Sequence, residues 1–99
     1  MDAVQVVLEP RRREILRLVW DRERTVGEIV ERVDRSFPAV SQHLGVLRDA
    51  GFVTVRKDGN RRYYRADHDG LGELRAVLEA MWAGTLDRLS ETIEADRRR

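Results

Sequence analysis

The stretch Ser36-Phe37-Pro38-Ala39-Val40-Ser41-Gln42-His43-Leu44-Gly45-Val46-Leu47-Arg48-Asp49-Ala50-Gly51-Phe52-Val53 carries a helix start and a helix stop within one short span. Ser36 suits the capping of unpaired first-turn amides, and Pro38 fits that turn because its missing N–H would have had no partner there. Gly51 suits the left-handed position after the last turn, with Phe52 folding back on it, so the helix should end near Ala50. In between, Val40, Leu44 and Leu47 recur at i, i+4, i+7 as an apolar stripe, which leaves Phe37, Ser41, Gln42 and Arg48 facing elsewhere. Short hydroxyl and amide groups there suit base edges in the DNA major groove, where an amide pairs bidentately with adenine. The competing reading of Ser41-Gln42-His43 is an ordinary polar surface, although such surfaces more often carry Glu and Lys.

The flanking segments decide between these readings. Asp2 to Leu8 reads as a short first helix (residues 2–8) with Val4, Val7 and Leu8 along one side. Pro10 suits the first turn of a second helix to about Trp20 that buries Ile15, Leu16 and Val19. Arg11-Arg12-Arg13 stand in that first turn, where positive charge opposes the helix dipole by about a few tenths of a kcal/mol. Pairing with Glu9 or Glu14 is the simplest account, contact with DNA phosphate or a partner subunit the alternative. After the charged connection Asp21 to Arg24, Thr25-Val26-Gly27-Glu28 fits a capping box, and Val26, Ile29, Val30 and Val33 line one face of a short helix. Only Asp34-Arg35 separates it from Ser36, which makes residues 25–50 a helix-turn-helix.

Beyond Gly51 the period changes from 3.6 to 2. Phe52 to Lys57 and Arg61 to Ala66 are β-prone runs around Asp58-Gly59-Asn60, a hairpin over residues 52–66 with Tyr64 and Ala66 on one face and Arg61, Tyr63 and Arg65 on the other. Arg56, Lys57, Arg61, Arg62 and Arg65 against Asp58 give five positive charges and one negative, a local +4 in a chain of net +1. That is the footprint of a phosphate-binding wing; the plainer function of charged edge strands is to deter aggregation. A last helix over 68–95, capped by Asp67 or Asp69, carries Leu71, Leu74, Leu78, Met81, Trp82, Leu86, Leu89 and Ile93 in one stripe. So long a stripe exceeds what a small core covers, and its simplest cover is its own copy in a dimer. The expected interface is Val4, Val7, Leu8, Leu74, Leu78, Met81, Trp82 and Leu86, with a ligand pocket at Met81 and Trp82 as the alternative.

At 99 residues the chain is expected to be a single domain, 1–99. Without cysteine it has no disulfide framework, thiolate metal site or cysteine nucleophile. No apolar run approaches the ~20 residues that span a bilayer, and no basic-then-apolar leader opens the chain, so a cytoplasmic protein with no membrane partner is expected. Nothing pairs a nucleophile with a base, so no enzyme is expected: the two histidines lie in different elements and Ser41 has no activating partner.

Leu8-Glu9-Pro10-Arg11-Arg12-Arg13-Glu14-Ile15-Leu16, Thr25-Val26-Gly27-Glu28-Ile29, Pro38-Ala39-Val40-Ser41-Gln42-His43-Leu44, Val46-Leu47-Arg48-Asp49-Ala50-Gly51 and Gly59-Asn60-Arg61-Arg62-Tyr63-Tyr64-Arg65 together resemble the ArsR/SmtB family of bacterial winged-helix repressors. The resemblance implies a mainly α, dimeric winged helix-turn-helix with a β-hairpin wing, ordered α-α-α-α-β-β-α. It implies dimerisation through the first and last helices, double-stranded DNA as partner, paired recognition helices on a palindromic operator near the protein's own gene, and an unidentified small-molecule effector. Base contacts are then expected from Phe37, Pro38, Ser41 and Gln42, and phosphate contacts from Ser36, His43, Arg48, Arg56, Lys57, Arg61 and Arg62.

Three departures stand out. Phe37 replaces a frequent Gln, which suggests an apolar base contact such as a thymine methyl. Asp34 occupies the helix-turn-helix turn where Gly is common, and Asp tolerates the left-handed region better than most residues. The family's thiolate site has no cysteine here, and Asp67-His68-Asp69 stands near the start of the last helix with no histidine after it. No metal and no cofactor are therefore expected. The alternative from another class is a winged-helix module used only for protein contacts.

Overall fold

The structure, a computed structural model, describes residues 1–84. Four helices come first: α1 (Ala3–Leu8), α2 (Pro10–Leu18), α3 (Val26–Val30) and α4 (Phe37–Asp49). An antiparallel hairpin of β1 (Val53–Asp58) and β2 (Arg61–Ala66) follows, then α5 (His68–Leu71) and α6 (Leu74–Trp82).

Each early helix start has a side-chain cap. Asp2 and Gln5 form a capping box on α1, the Glu9 carboxylate accepts from the Arg11 amide on α2, and Thr25 with Glu28 form the expected box on α3. Ser36 Oγ accepts from the Ala39 amide at 3.3 Å, with Pro38 in the first turn of α4. At the other end of α4 the Gly51 amide donates to Arg48 O and the Phe52 amide to Leu47 O, both at 2.9 Å, with Gly51 at φ 81°. That pair of bonds is the Schellman stop read from the sequence.

Ile15, Leu16, Val19, Ile29, Val40, Leu44 and Leu47 form the centre of the core, closed by Phe52, Val53, Tyr64, Leu71 and Leu78. The hairpin register pairs Val53 with Ala66 and Val55 with Tyr64 on the inward face. A positive φ at Gly59 alone, before Asn60, is the type II′ pattern of a two-residue hairpin loop.

Four expectations change. The segment 21–24 is more than a connection, because Arg24 pairs with Tyr64 through Arg24 N to Tyr64 O (3.0 Å) and Tyr64 N to Arg24 O (2.8 Å), an isolated antiparallel bridge beside β2. The Asp34 turn needs no left-handed residue, since among the described residues only glycines have positive φ.

The last helix is not continuous from residue 68. Gly72 breaks it at φ 57°, ψ −130°, a conformation only glycine adopts without strain, and splits it into α5 and α6. Gly70 is required for a different reason: a Cβ there would collide with the Gly51 carbonyl oxygen.

Finally, the apolar stripe is partly covered within the chain. Leu78 (1% exposed) and Val7 (8%) belong to the core, Leu74 and Trp82 pack against it, and Trp82 meets Trp20 edge-on with ring centroids 4.6 Å apart. Val4, Leu8, Met81 and the unanticipated Val77 remain more than half exposed. The helix expected to run on to residue 95 is interrupted within the described residues, since α6 ends at Trp82 with Ala83 as its cap and Gly84 at φ 69°, which is not helical. Leu86, Leu89 and Ile93 lie outside the described residues.

Candidate nucleic-acid interface

Successive helical residues turn by about 100°, so Phe37, Ser41, Gly45 and Arg48 share one face of α4, with Pro38, Asp49 and Gln42 toward its edge. Phe37, Pro38, Ser41, Gln42, Arg48 and Asp49 are all exposed, while Val40, Leu44 and Leu47 are buried. Each residue expected to meet bases therefore stands on the open side. A Cβ built on Gly45 meets nothing within 4 Å, so no neighbour within the described chain demands glycine there.

The hairpin faces this helix across a groove of about 560 Å³ whose walls include Glu28, Phe37, Ser41, Asn60, Arg61 and Arg62. Strand alternation sorts the wing cations. Lys57 and Arg62 lie directly opposite each other in the register, on the face that Val55 and Tyr64 turn toward the helices. Like charges placed opposite are destabilising in a sheet, and neither has an ion-pair partner among the described residues. Two cations held together without a counter-charge are chemically prepared for a phosphate.

Arg56 points from the other face and is already engaged. Its Nε and Nη2 donate to the Glu23 carboxylate at 2.9 and 2.8 Å, and its guanidinium stacks 4.6 Å from the Tyr63 ring centroid. The Glu23 hydrogen bonds raise the Arg56 pKa and hold the Glu23 carboxyl below its ordinary value. Arg56 thus braces the wing against the segment before α3, and the wing cations without an ion pair among the described residues are Lys57, Arg61, Arg62 and Arg65.

His43 is set apart from the exposed face, about 200° around the helix from Ser41. It is half-buried, its Nδ1 has no hydrogen-bond partner, and its charged surroundings are Glu9, Arg11 and Arg12 of α2 with Arg35. Burial first, then Arg12, lowers its pKa. A neutral ring at the junction of α2 and α4 contributes to helix packing rather than to an anion site. Ser36 keeps its hydroxyl proton available while the oxygen caps Ala39, and Arg48 lies loosely 3.9 Å from Asp49.

Sequence reasoning missed Arg24. It is 8% exposed, and its Nε donates to Leu18 O at 2.7 Å while its backbone pairs with Tyr64. One residue thereby ties the end of α2 to the wing. Burial lowers its pKa, and its Nη1 is buried without a partner. The sequence signal was faint: a lone arginine before Thr25 looks like any solvated linker charge.

Among the described residues no three His, Asp or Glu side chains gather in a way that would hold a metal ion. The Nε2 proton of His68 is donated to Trp20 O at 2.9 Å and its ring stacks on Trp20, so this histidine anchors α5 to the end of α2. No helix of the described residues is long and apolar enough to cross a membrane.

Residues 9–55 match the family described as "Bacterial regulatory protein, arsR family". The HTH-type transcriptional regulator Rv2034 of Mycobacterium tuberculosis is 36% identical over 94 residues, which cover 95% of this chain and 88% of that one. The crystal structure of a possible transcriptional regulator for arsenical resistance superposes with a TM-score of 0.71 at 44% identity, covering 93% of this chain and 96% of that one. The solution structure of the homodimeric winged helix-turn-helix DNA-binding domain Mb0332 from Mycobacterium bovis gives a TM-score of 0.73 at 27% identity, over 87% of this chain and 80% of its own.

Proposed function

Because the chain belongs to the arsR family of bacterial transcriptional regulators, we propose that it is a dimeric repressor which binds a palindromic operator near its own gene and does not respond to metals. The observation that carries this reading is the pairing of an exposed, nearly uncharged face on α4 with Arg61 and Arg62 across one groove, Arg62 standing opposite a second uncompensated cation, Lys57, in the hairpin register. Ser41 and Gln42 read base edges, with Phe37 and Pro38 beside them. Ser36, Arg48, Lys57, Arg61 and Arg62 hold phosphates and set the register, a task that carries no sequence information.

A second copy of the chain covers Val4, Leu8, Val77 and Met81. Each of these side chains is already partly covered, so completing its burial contributes about 1–1.5 kcal/mol, roughly half the value for a fully exposed one, and dimerisation sets the recognition helices about 34–36 Å apart for successive major grooves. The absence of cysteine from the chain removes the ligands that soft ions such as arsenite and cadmium favour, and the Nε2 proton of His68 is committed to a carbonyl. The alternative, a carboxylate site of Asp67, His68 and Asp69 with Glu91 or Glu94 of a second copy, would involve residues outside those described.

Fluorescence anisotropy with duplexes tiled upstream of the protein's own reading frame tests the proposal. One tile should bind far tighter than scrambled DNA, with affinity that falls steeply with salt. Zinc, cadmium or arsenite at low micromolar concentration should leave that complex intact. Equal binding to every tile would defeat the repressor reading, and release by a metal that a chelator reverses would defeat the metal-independent part of it.

A further inference from the structure

Phe37 is 55% exposed although it stands at the first position of a well-capped helix. The Ser36 cap and Pro38 fix the start of α4, so the ring is held on the outer wall of the groove rather than hanging from a loose end. It lies one turn before Ser41 on the same face and shares the groove with Arg61 and Arg62. An aromatic side chain amid two arginines, two carboxylates and small polar groups stays more than half exposed, yet it stands where the first turn of a recognition helix meets the bases. The charged walls of the groove, Glu28 and Glu31 against Arg61 and Arg62, balance one another, so its occupant is taken from the DNA-binding reading, and the apolar group that the major groove of DNA offers is the C5 methyl of thymine.

We propose that Phe37 is a specificity-determining residue that packs on a thymine C5 methyl at one position of each operator half-site. The inference rests on the DNA-binding reading above and adds to it which base feature is recognised. It places the hydrogen-bonding readers, Ser41 and Gln42, after an apolar reader in the first turn. Thymine differs from uracil by that methyl alone, so the two bases share every hydrogen-bonding group that the amide or hydroxyl readers use.

The test starts from duplexes selected by the full-length protein out of a random pool, followed by replacement of each thymine in turn with deoxyuridine. At one symmetric pair of positions, each methyl removed should weaken binding about fourfold, the effect of exposing one buried methyl group. Phe37→Ala should bind the thymine and uracil duplexes alike, whereas Gln42→Ala should keep the difference. Both variants alter exposed positions, and circular dichroism melts will show that they remain folded. Wild-type protein indifferent to uracil at every position would overturn the proposal, as would a Phe37→Ala variant that still discriminates or one that changes only the oligomeric state. Failure to select any duplex would defeat the DNA-binding reading itself, and this inference with it.

Discussion

The Nε of Arg12 donates to the carbonyl oxygen of Val6 at 2.8 Å, joining the first turn of α2 to the end of α1. Arg13 Nη1 adds the carbonyls of Val7 and Leu8 at 2.7 and 2.9 Å. Cations that oppose the dipole of their own helix thus satisfy the unpaired carbonyls of the preceding one. Arg12→Ala and Arg13→Ala should each lower unfolding free energy by about 1–2 kcal/mol in urea titration. An unchanged midpoint in both would mean that these bonds contribute nothing to the docking of α1.

Leu78 and Met81 lie on one helix but should respond differently to charge. Met81→Glu and Leu8→Glu alter half-exposed side chains and should turn the proposed dimer into a folded monomer in light scattering, with weakened operator binding. Leu78→Glu places a carboxylate in the core and should unfold the chain, a burial that costs several kcal/mol. A folded monomeric Leu78→Glu variant would instead place that residue at the dimer seam.

Base reading and phosphate holding differ in kind. Gln42→Ala should cost about 1–3 kcal/mol on the preferred operator and less on scrambled DNA. Arg62→Ala should weaken both duplexes alike and reduce the slope of log affinity against log salt by about 0.9. Arg56→Ala should alter that slope less than Arg62→Ala, because Glu23 already neutralises Arg56. Equal loss from Gln42→Ala on both duplexes would remove it from the base readers.

Gly45 sits in the middle of α4, where glycine is about 0.5–1 kcal/mol worse than alanine, and among the described residues an added Cβ has no neighbour within 4 Å. Gly45→Ala should therefore raise thermal stability. If α4 enters a groove, the same methyl group should weaken operator binding. A variant more stable and equally tight on DNA would show that nothing approaches the helix closely there.

The neutral state of His43 predicts a pH dependence. Its folded pKa lies below the unfolded value of about 6.5, first through burial and then through Arg12, with Arg11 and Arg35 adding to the effect and Glu9 opposing it. Between those two values the unfolded chain takes up a proton that the folded chain refuses. Stability is thus full above about 6.5 and declines as pH falls toward the lower folded value. The melting temperature should drop across that window in wild type and stay flatter in His43→Gln. Glu9, Glu23 and Glu28, whose pKa values are lowered by their hydrogen bonds, act in a separate window below about 4.3. Identical pH profiles for wild type and His43→Gln would exclude the role.

Sequence alone determined the features that local chemistry controls. The Ser36 cap, the Thr25 and Glu28 box, the Schellman stop at Gly51 and the hairpin around Gly59 are each written within a few neighbouring residues, and each formed as read. Helical and strand periodicity likewise fixed which sides of α4 and β2 face inward. Tertiary structure decided the partners that are distant in the chain. Glu23 takes Arg56 out of the wing's charge from 33 positions away, Arg24 forms a β-bridge only because Tyr64 lies beside it, and His68 finds its acceptor at Trp20. Leu78 and Leu8 both belong to apolar patterns, and only the packing of the other helices buries one and exposes the other. Periodicity shows that a face is apolar; which surface covers it depends on the positions of elements that no local pattern encodes.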